Sequence, residues 1–342
     1  MRLATFAVDT DVGRVQRLGI AHEGTVLDTT AGYAHVLDQR GEAAPVEIAQ
    51  AHAPPEMLGF LRRGERAFDA ARAVAETVPD ADAETGPDGA RLRYDPDEVD
   101  LMAPLPRPNS LRDYMAFEEH VRNSMGEVPD VWYEIPVCYK GNADSVVGPG
   151  ATVEWPAYSD LMDIELEIGA VIGKRGTGIS ADEAAEYIAG FTLFNDFSAR
   201  DEQGEEMEGR LGPARGKDFA NALGPHLVTP DEVDLPNAEF EIVVEGEDGA
   251  AASDASGGSS DQRSDGETDT WSEGTVGEMG HSWGDIIEHV SEAETLYPGD
   301  VLGSGTVGTG CGLEIGEFLS DGDTVSISIE GLGTLTNTVV TQ

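Results

Sequence analysis

Three stretches of this chain concentrate side chains that could act together. In Met162-Asp163-Ile164-Glu165-Leu166-Glu167-Ile168, acids alternate with apolar residues. Side chains two apart on a strand share a face, so Asp163, Glu165 and Glu167 are expected side by side, with Ile164, Leu166 and Ile168 packed behind them. Such a face is either solvated or holds a cation, because crowded like charges repel. The run continues into Gly169-Ala170-Val171-Ile172, which reads as buried on both faces and makes the cation as good a reading as solvent. The second stretch is Phe191-Thr192-Leu193-Phe194-Asn195-Asp196-Phe197-Ser198-Ala199-Arg200-Asp201-Glu202-Gln203. Asp196 ends its apolar part, where a rigid strand could hold a ligand carboxylate still, or where the acid could cap a helix. Arg200 and Gln203, three apart, would face the same way on a short helix. A fixed guanidinium fork suits an anionic oxygen ligand, the alternative being a salt bridge to Asp201 or Glu202. In the third stretch, Leu111 to His120, seven residues separate Asp113 from His120; on a helix that is two turns, and both point at one region.

The elements that must position these residues are mostly strands. The first hundred residues read as a small separate unit, residues 1–98: short strands at Arg2 to Val8 and Arg17 to Ala21, then a helical pattern from Ala44 to Ala75. Val78 to Gly89 is polar and turn-rich, a loop or linker. The main unit, residues 99–342, opens with Leu101-Met102-Ala103-Pro104-Leu105-Pro106, which its prolines keep extended. Strands are expected at Ser145 to Val153, Met162 to Ile172, Phe191 to Asn195, Phe240 to Val244, Val301 to Leu302, Thr324 to Ile329 and Gly333 to Val340. Helices are expected at Tyr114 to Asn123, Ala181 to Ile188 and Trp283 to Val290. The fold class is therefore α+β and β-rich, with a rolled or barrel-like mixed sheet. Gly246 to Thr270, mostly Gly, Ser, Asp and Ala without apolar period, reads as a flexible acidic insertion at a hairpin tip.

Composition excludes several partners. Sixty-six acids face 21 bases, a formal net charge of −45. Such a chain repels nucleic acid and anionic membranes. Only Lys140, Lys174 and Lys217 are lysines, and an acidic surface poor in lysine fits a cytoplasm of molar salt, where the Debye length is about 3 Å. Met1 to Thr10 lacks the pattern of a secretory signal, and no run of apolar residues is long enough to span a bilayer. Cys138 and Cys311, both in apolar or Gly-rich surroundings, read as buried free thiols of a reducing compartment.

In order along the chain, Asp113-x6-His120, the Asp163-to-Glu167 alternation, Asn195-Asp196-Phe197-Ser198-Ala199-Arg200-Asp201-x-Gln203, and Leu211-Gly212-Pro213 with Gly216-Lys217 resemble the fumarylacetoacetate hydrolase superfamily. Pro136-Val137-Cys138-Tyr139-Lys140-Gly141, Ser304-Gly305-Thr306-Val307-Gly308 and Leu313-Glu314 extend the likeness across roughly Pro104 to Gly333, apart from the acidic insertion. The resemblance implies a β-strand roll behind a small N-terminal domain, and a homodimer. It implies one divalent cation, Mg2+ or Ca2+, on Asp113, Glu165, Glu167 and Asp196, and no organic cofactor. His120, oriented by Glu314, would be the general base for water. Arg200, Gln203 and Lys217 would hold substrate oxygens and the developing oxyanion, while Tyr139 and Thr306 would contact substrate. The implied reaction is hydrolytic cleavage of a carbon–carbon bond in a β-diketo acid such as fumarylacetoacetate or an acylpyruvate.

Two departures from the family pattern bear on substrate. Pro129 stands where the family has an arginine beyond the histidine, and the segment after Gln203 is longer and acidic. The alternatives within the superfamily are a sugar-acid dehydratase, an oxaloacetate decarboxylase or an unsaturated dicarboxylate isomerase. Outside it stands an acidic calcium-binding structural protein, which would have no use for His120, Arg200 or Lys217. Gly303-x-Gly305-x-x-Gly308 matches a dinucleotide fingerprint only as text, since Thr309-Gly310-Cys311-Gly312 is a poor helix start.

Overall fold

The computed structural model describes residues 1–11, 13–246 and 268–341. At the N-terminus, β1 (Arg2–Thr10) and β2 (Gly13–His22) pair antiparallel from Leu3↔Ile20 to Thr10↔Gly13. After β3 (Thr25–Asp28), the Asp28 side chain accepts from Ala31 N at 2.7 Å and caps α1 (Thr29–Gln39). Then come α2 (Pro45–His52), α3 (Met57–Arg63), α4 (Glu65–Thr77), β4 (Arg93–Tyr94) and β5 (Asp100–Leu101).

The remainder runs β6 (Ser110–Tyr114), α5 (Glu118–Met125), β7 (Cys138–Gly141), β8 (Val146–Val147), β9 (Thr152–Trp155), β10 (Met162–Asp163), β11 (Leu166–Ile172), β12 (Ile188–Asp196), β13 (Ser198–Ala199) and α6 (Arg200–Glu208). It ends with β14 (Asn221–Val228), β15 (Glu239–Glu245), β16 (Thr268–Thr275), α7 (Trp283–Ser291), β17 (Asp300–Gly303), α8 (Gly312–Ile315), β18 (Thr324–Ile329) and β19 (Gly333–Thr341). The larger sheet follows the order β4-β3-β2-β1-β14-β12-β11-β17-β6-β7. A second sheet runs β16-β15-β18-β19-β9. Both are mixed: β17 with β6 and β19 with β9 are parallel, most other pairs antiparallel. The fold is α+β and strand-rich, as expected, and neither sheet closes into a barrel among the described residues.

Apolar alternation explains how the sheets stack. Ile168, Phe191 and Leu193 of the larger sheet meet Phe240, Ile242, Ile327 and Leu335 of the smaller one in a shared core. Each such buried side chain contributes about 1.5–3 kcal/mol, which pins the registers that carry the polar residues. The N-terminal strands join the larger sheet through β1 and β14, with Arg2↔Val228 and Leu3↔Leu227 as partners. Leu3, Leu27 and Phe60 accordingly share a core with Phe194 and Leu223. The acidic insertion expected at 246–270 lies, for residues 247–267, outside the described residues; Glu245↔Thr268 pairing places it between the strands of a hairpin. No helix among the described residues is long and apolar enough to cross a membrane.

Several local expectations are corrected. Asp113 and His120 do not share a helix: Asp113 lies on β6 and His120 on α5. Strand pairing to β17 and β7 on either side overrides the helical spacing there. The expected strand from Met162 to Ile172 breaks at Ile164 and Glu165. Cys138 is exposed on the edge strand β7, while Cys311 is buried. A single helical turn, α8, does begin at Gly312, and it carries Glu314.

Candidate active site

Four carboxylates converge beside the middle of the larger sheet. Asp113 on β6 stands opposite Gly303 of β17 and Tyr139 of β7. Glu167 on β11 pairs across to Phe194, and Asp196 closes β12. Glu165 sits in the break before β11, where its N–H donates to Asn195 Oδ1 (3.1 Å) and its carbonyl accepts from Asp196 N (3.2 Å). One oxygen from each of Asp113, Glu165, Glu167 and Asp196 lies within 4.8 Å of the others, and all four residues are buried. Glycine at 303 permits the convergence: a Cβ there would lie 2.4 Å from Asp113 Oδ1 and 3.0 Å from Glu167 Oε2.

Four buried acids require countercharge, and Lys217 supplies part of it. Its ammonium, 2% exposed, lies 2.5 Å from Glu165 Oε2 and 2.7 Å from Asp196 Oδ2. Burial alone would lower its pKa, but Asp196 and Glu165 outweigh burial and hold it above the usual lysine value. Burial likewise works against an ionised Glu165, yet Lys217 and Arg200 keep that carboxyl well below the ordinary range. The other three shift upward. Burial pushes Asp113 up to about 7 and Asp196 up to about 6, and burial with the facing Asp113 holds Glu167 well above a normal carboxylic acid. Both carboxylate oxygens of Glu167, and Oδ1 of Asp196, have no hydrogen-bond partner among the described residues. Orphaned buried oxygens of this kind are costly, and an all-oxygen cage is the donor set of a hard divalent cation. The residues fit a metal ion.

Beside the cluster lies a second group. His120, on α5, has its Nδ1 2.7 Å from Glu314 Oε1. Glu314 is held from several directions: Asn123 Nδ2 and Thr309 N donate to its Oε2 at 2.6 and 3.0 Å, and Cys311 Sγ to its Oε1 at 3.5 Å. Burial would raise the Glu314 pKa, but His120, then Asn123 and the Thr309 N–H, hold it below the usual value. An ionised Glu314 fixes the imidazole with Nδ1 toward the carboxylate and leaves Nε2 for other work.

Arg200 opens α6, as its spacing with Gln203 suggested, and its Nη1 donates to Gln203 Oε1 at 3.0 Å. Neither Asp201 nor Glu202 is its partner. Its Nε donates to Asp163 Oδ2 at 2.7 Å, and its Nη1 lies 2.7 Å from Glu165 Oε1. Tyr139 donates to Asp196 Oδ2 at 2.5 Å. Thr306 is buried, and its Oγ1 has no partner among the described residues. Asp163, expected to share a face with Glu165 and Glu167, instead accepts from Arg200 and from Gly312 N (2.7 Å) and Leu313 N (3.0 Å). Three supporting residues escaped the sequence reading: Asn123, Asn195 and Cys311. Asn123 had one usable signal, its place three residues after His120 on a helix.

Residues 110–340 match the family model described as fumarylacetoacetate (FAA) hydrolase C-terminal. The mitochondrial oxaloacetate tautomerase Fahd2a of Rattus norvegicus is 32% identical over 293 residues, covering 84% of this chain and 80% of that protein. Its Homo sapiens counterpart, FAHD2A, is 32% identical over 291 residues with the same coverage. Among solved structures, the fumarylacetoacetate hydrolase of Exiguobacterium antarcticum superposes with a TM-score of 0.67 at 24% identity, over 99% of this chain and 100% of that one. The 5-carboxymethyl-2-hydroxymuconate delta-isomerase of Mycobacterium smegmatis gives 0.64 at 23% identity, over all of both chains. These structural likenesses concern the fold.

Proposed function

This chain belongs to the fumarylacetoacetate hydrolase family, and from that premise we propose that it is a divalent-metal enzyme moving protons at the enolisable carbon of a 2-keto dicarboxylic acid, with oxaloacetate as the first candidate. The observation that carries this reading is what the cations of the site are doing. Arg200 faces Asp163, Glu165 and Gln203, and Lys217 faces Glu165 and Asp196, so both cations are turned toward the protein's own acids. Hydrolysis of a diketone needs donors for a tetrahedral oxyanion. Enolisation needs only a placed base and stabilisation of the enolate. The His120–Glu314 pair beside the carboxylate cluster supplies that smaller kit. The relatives named as oxaloacetate tautomerases support the same choice over the hydrolase that the motifs first suggested.

A cation held by Asp113, Glu165, Glu167 and Asp196, Mg2+ or Ca2+ by the hardness of its ligands, would polarise the keto oxygen and steady the enolate charge. Glu314 holds His120 Nδ1, so Nε2 takes the proton from the carbon beside the carbonyl. The carbon–hydrogen electron pair moves into the enolate, and Nε2 returns the proton to oxygen or to carbon, giving enol or keto acid. Thr306, whose buried hydroxyl has no partner among the described residues, would donate to a substrate oxygen, and Tyr139, bonded to Asp196, would keep it oriented.

One observation favours a second reading. A histidine backed by an ionised glutamate can equally deprotonate water, so diketo-acid hydrolysis stays in the test. The protein with Mg2+ is incubated with enol-oxaloacetate, with fumarylacetoacetate and with an acylpyruvate. The enol absorbance and deuterium uptake at carbon 3 are followed in the first case, and cleavage products in the others. Faster ketonisation, lost in His120→Ala, is the expected result. Cleavage of a diketone without any acceleration of ketonisation would replace this reading by the hydrolase.

A further inference from the structure

A ring nitrogen of His120, Cys311 Sγ and a carboxylate oxygen of Glu314 lie within the 4.8 Å spread that a single ion can bridge. Glu314 Oε1 is the hub, 2.7 Å from Nδ1 and 3.5 Å from Sγ. The proposed acid–base chemistry uses the imidazole and the carboxylate, and asks of the thiol only its long hydrogen bond to that carboxylate. Cys311 is 0% exposed and in no disulfide, so its sulfur lies beside the dyad rather than out in solvent.

Nitrogen, sulfur and oxygen make a donor set unlike the carboxylate cluster. Mg2+ and Ca2+ take oxygen cages and avoid thiolate; Zn2+ and its relatives accept imidazole, thiolate and carboxylate together. The two groups of residues would therefore sort their ions by softness. Three protein ligands leave the fourth tetrahedral position open, which is also where a substrate oxygen or water could sit.

We propose that His120, Cys311 and Glu314 form a second metal site, specific for Zn2+ or a similarly borderline ion, whose occupancy switches the dyad off. The protons balance simply. Cys311 releases its thiol proton to solvent on binding. The imidazole proton that pointed at Glu314 moves from Nδ1 to Nε2 as Nδ1 takes the metal. Nε2 then carries a hydrogen and can no longer accept one from substrate. Binding at this site stands on geometry alone; the loss of activity rests on the functional reading above.

The test uses Cd2+ as the Zn2+ surrogate, because a cadmium thiolate has an ultraviolet charge-transfer band that a carboxylate site lacks. The whole protein is kept in excess Mg2+ and titrated with Cd2+. The chain has two cysteines, which makes the assignment clean. One equivalent of band should appear in the natural protein and in Cys138→Ser, and disappear in Cys311→Ser. His120→Ala should keep the thiol but weaken Cd2+ binding by about tenfold or more. Turnover should fall along the same titration curve. A band that survives Cys311→Ser, or one that vanishes in Cys138→Ser, overturns the site whatever the activity proves to be. A full band with undiminished turnover overturns the switch and counts against His120 as the base.

Discussion

Asp163 and Arg200 form a buried ion pair, Nε to Oδ2 at 2.7 Å, and each partner reaches a different half of the site. Asp163 accepts from the N–H groups of Gly312 and Leu313, the start of the turn that carries Glu314. Arg200 holds Glu165 and Gln203. One pair therefore ties the histidine dyad to the carboxylate cluster. Gly312 is part of the same joint, since a Cβ there would lie 2.5 Å from Asp163 Oδ1.

Asp163→Asn should leave the buried Arg200 with Glu165 as its one remaining ionic partner among the described residues. Removing one member of a buried pair costs about 3–5 kcal/mol, so the urea midpoint should drop markedly. Turnover should fall with it, because the turn bearing Glu314 loses its anchor. A variant of natural stability and natural turnover would show that the pair positions nothing.

Lys217→Met removes the ammonium from Glu165 and Asp196. The cluster becomes more negative, so Mg2+ affinity by calorimetry should hold or tighten. Turnover should fall, because Glu165 and Asp196 lose the ammonium that holds both of them in place. Weakened Mg2+ binding with turnover intact would be the opposite outcome and would sink this assignment.

Metal-free protein should depend on pH in a particular direction. Asp113 and Asp196 are raised to about 7 and about 6 in the fold, and Glu167 further, against about 4 when unfolded. The folded state thus binds more protons through that window, and its stability declines as pH rises from about 4 to about 7. A bound divalent cation replaces those protons. The Tm gain on adding Mg2+ after EDTA treatment should be larger at mildly alkaline than at acidic pH; an equal gain at both would mean that the ion binds elsewhere.

His226 predicts an acid-side effect independent of the site. Burial, and then Arg2, hold its pKa down to about 4, and its Nδ1 has no partner among the described residues. Between about 6.5 and about 4 the unfolded chain takes up a proton that the folded one refuses, so stability is lost as pH falls, by about 1.4 kcal/mol per pKa unit. His226→Gln should flatten that slope in urea melts across the window. A slope unchanged by the substitution would assign the loss to other groups.

What the sequence determined by itself was the chemistry on offer. Alternation around Glu165 and Glu167, the apolar approach to Asp196, and ordered motifs from Asp113 to Glu314 are short-range or ordinal features, and they pointed to the strand-rich family and the named residues. What only the tertiary structure decided was which of those residues touch. Asp113 belongs to a strand because β17 and β7 flank it, and β17 comes from nearly two hundred residues further along the chain, which no local spacing records. Asp163 left the acidic face because the strand breaks after it, and it took Arg200 and the turn of Glu314 as partners instead. Cys311 acquired meaning only when the chain folded Glu314 and His120 onto it. Local periodicity encodes which face a side chain takes; the cost of burying charge decides, in three dimensions, what that side chain must meet.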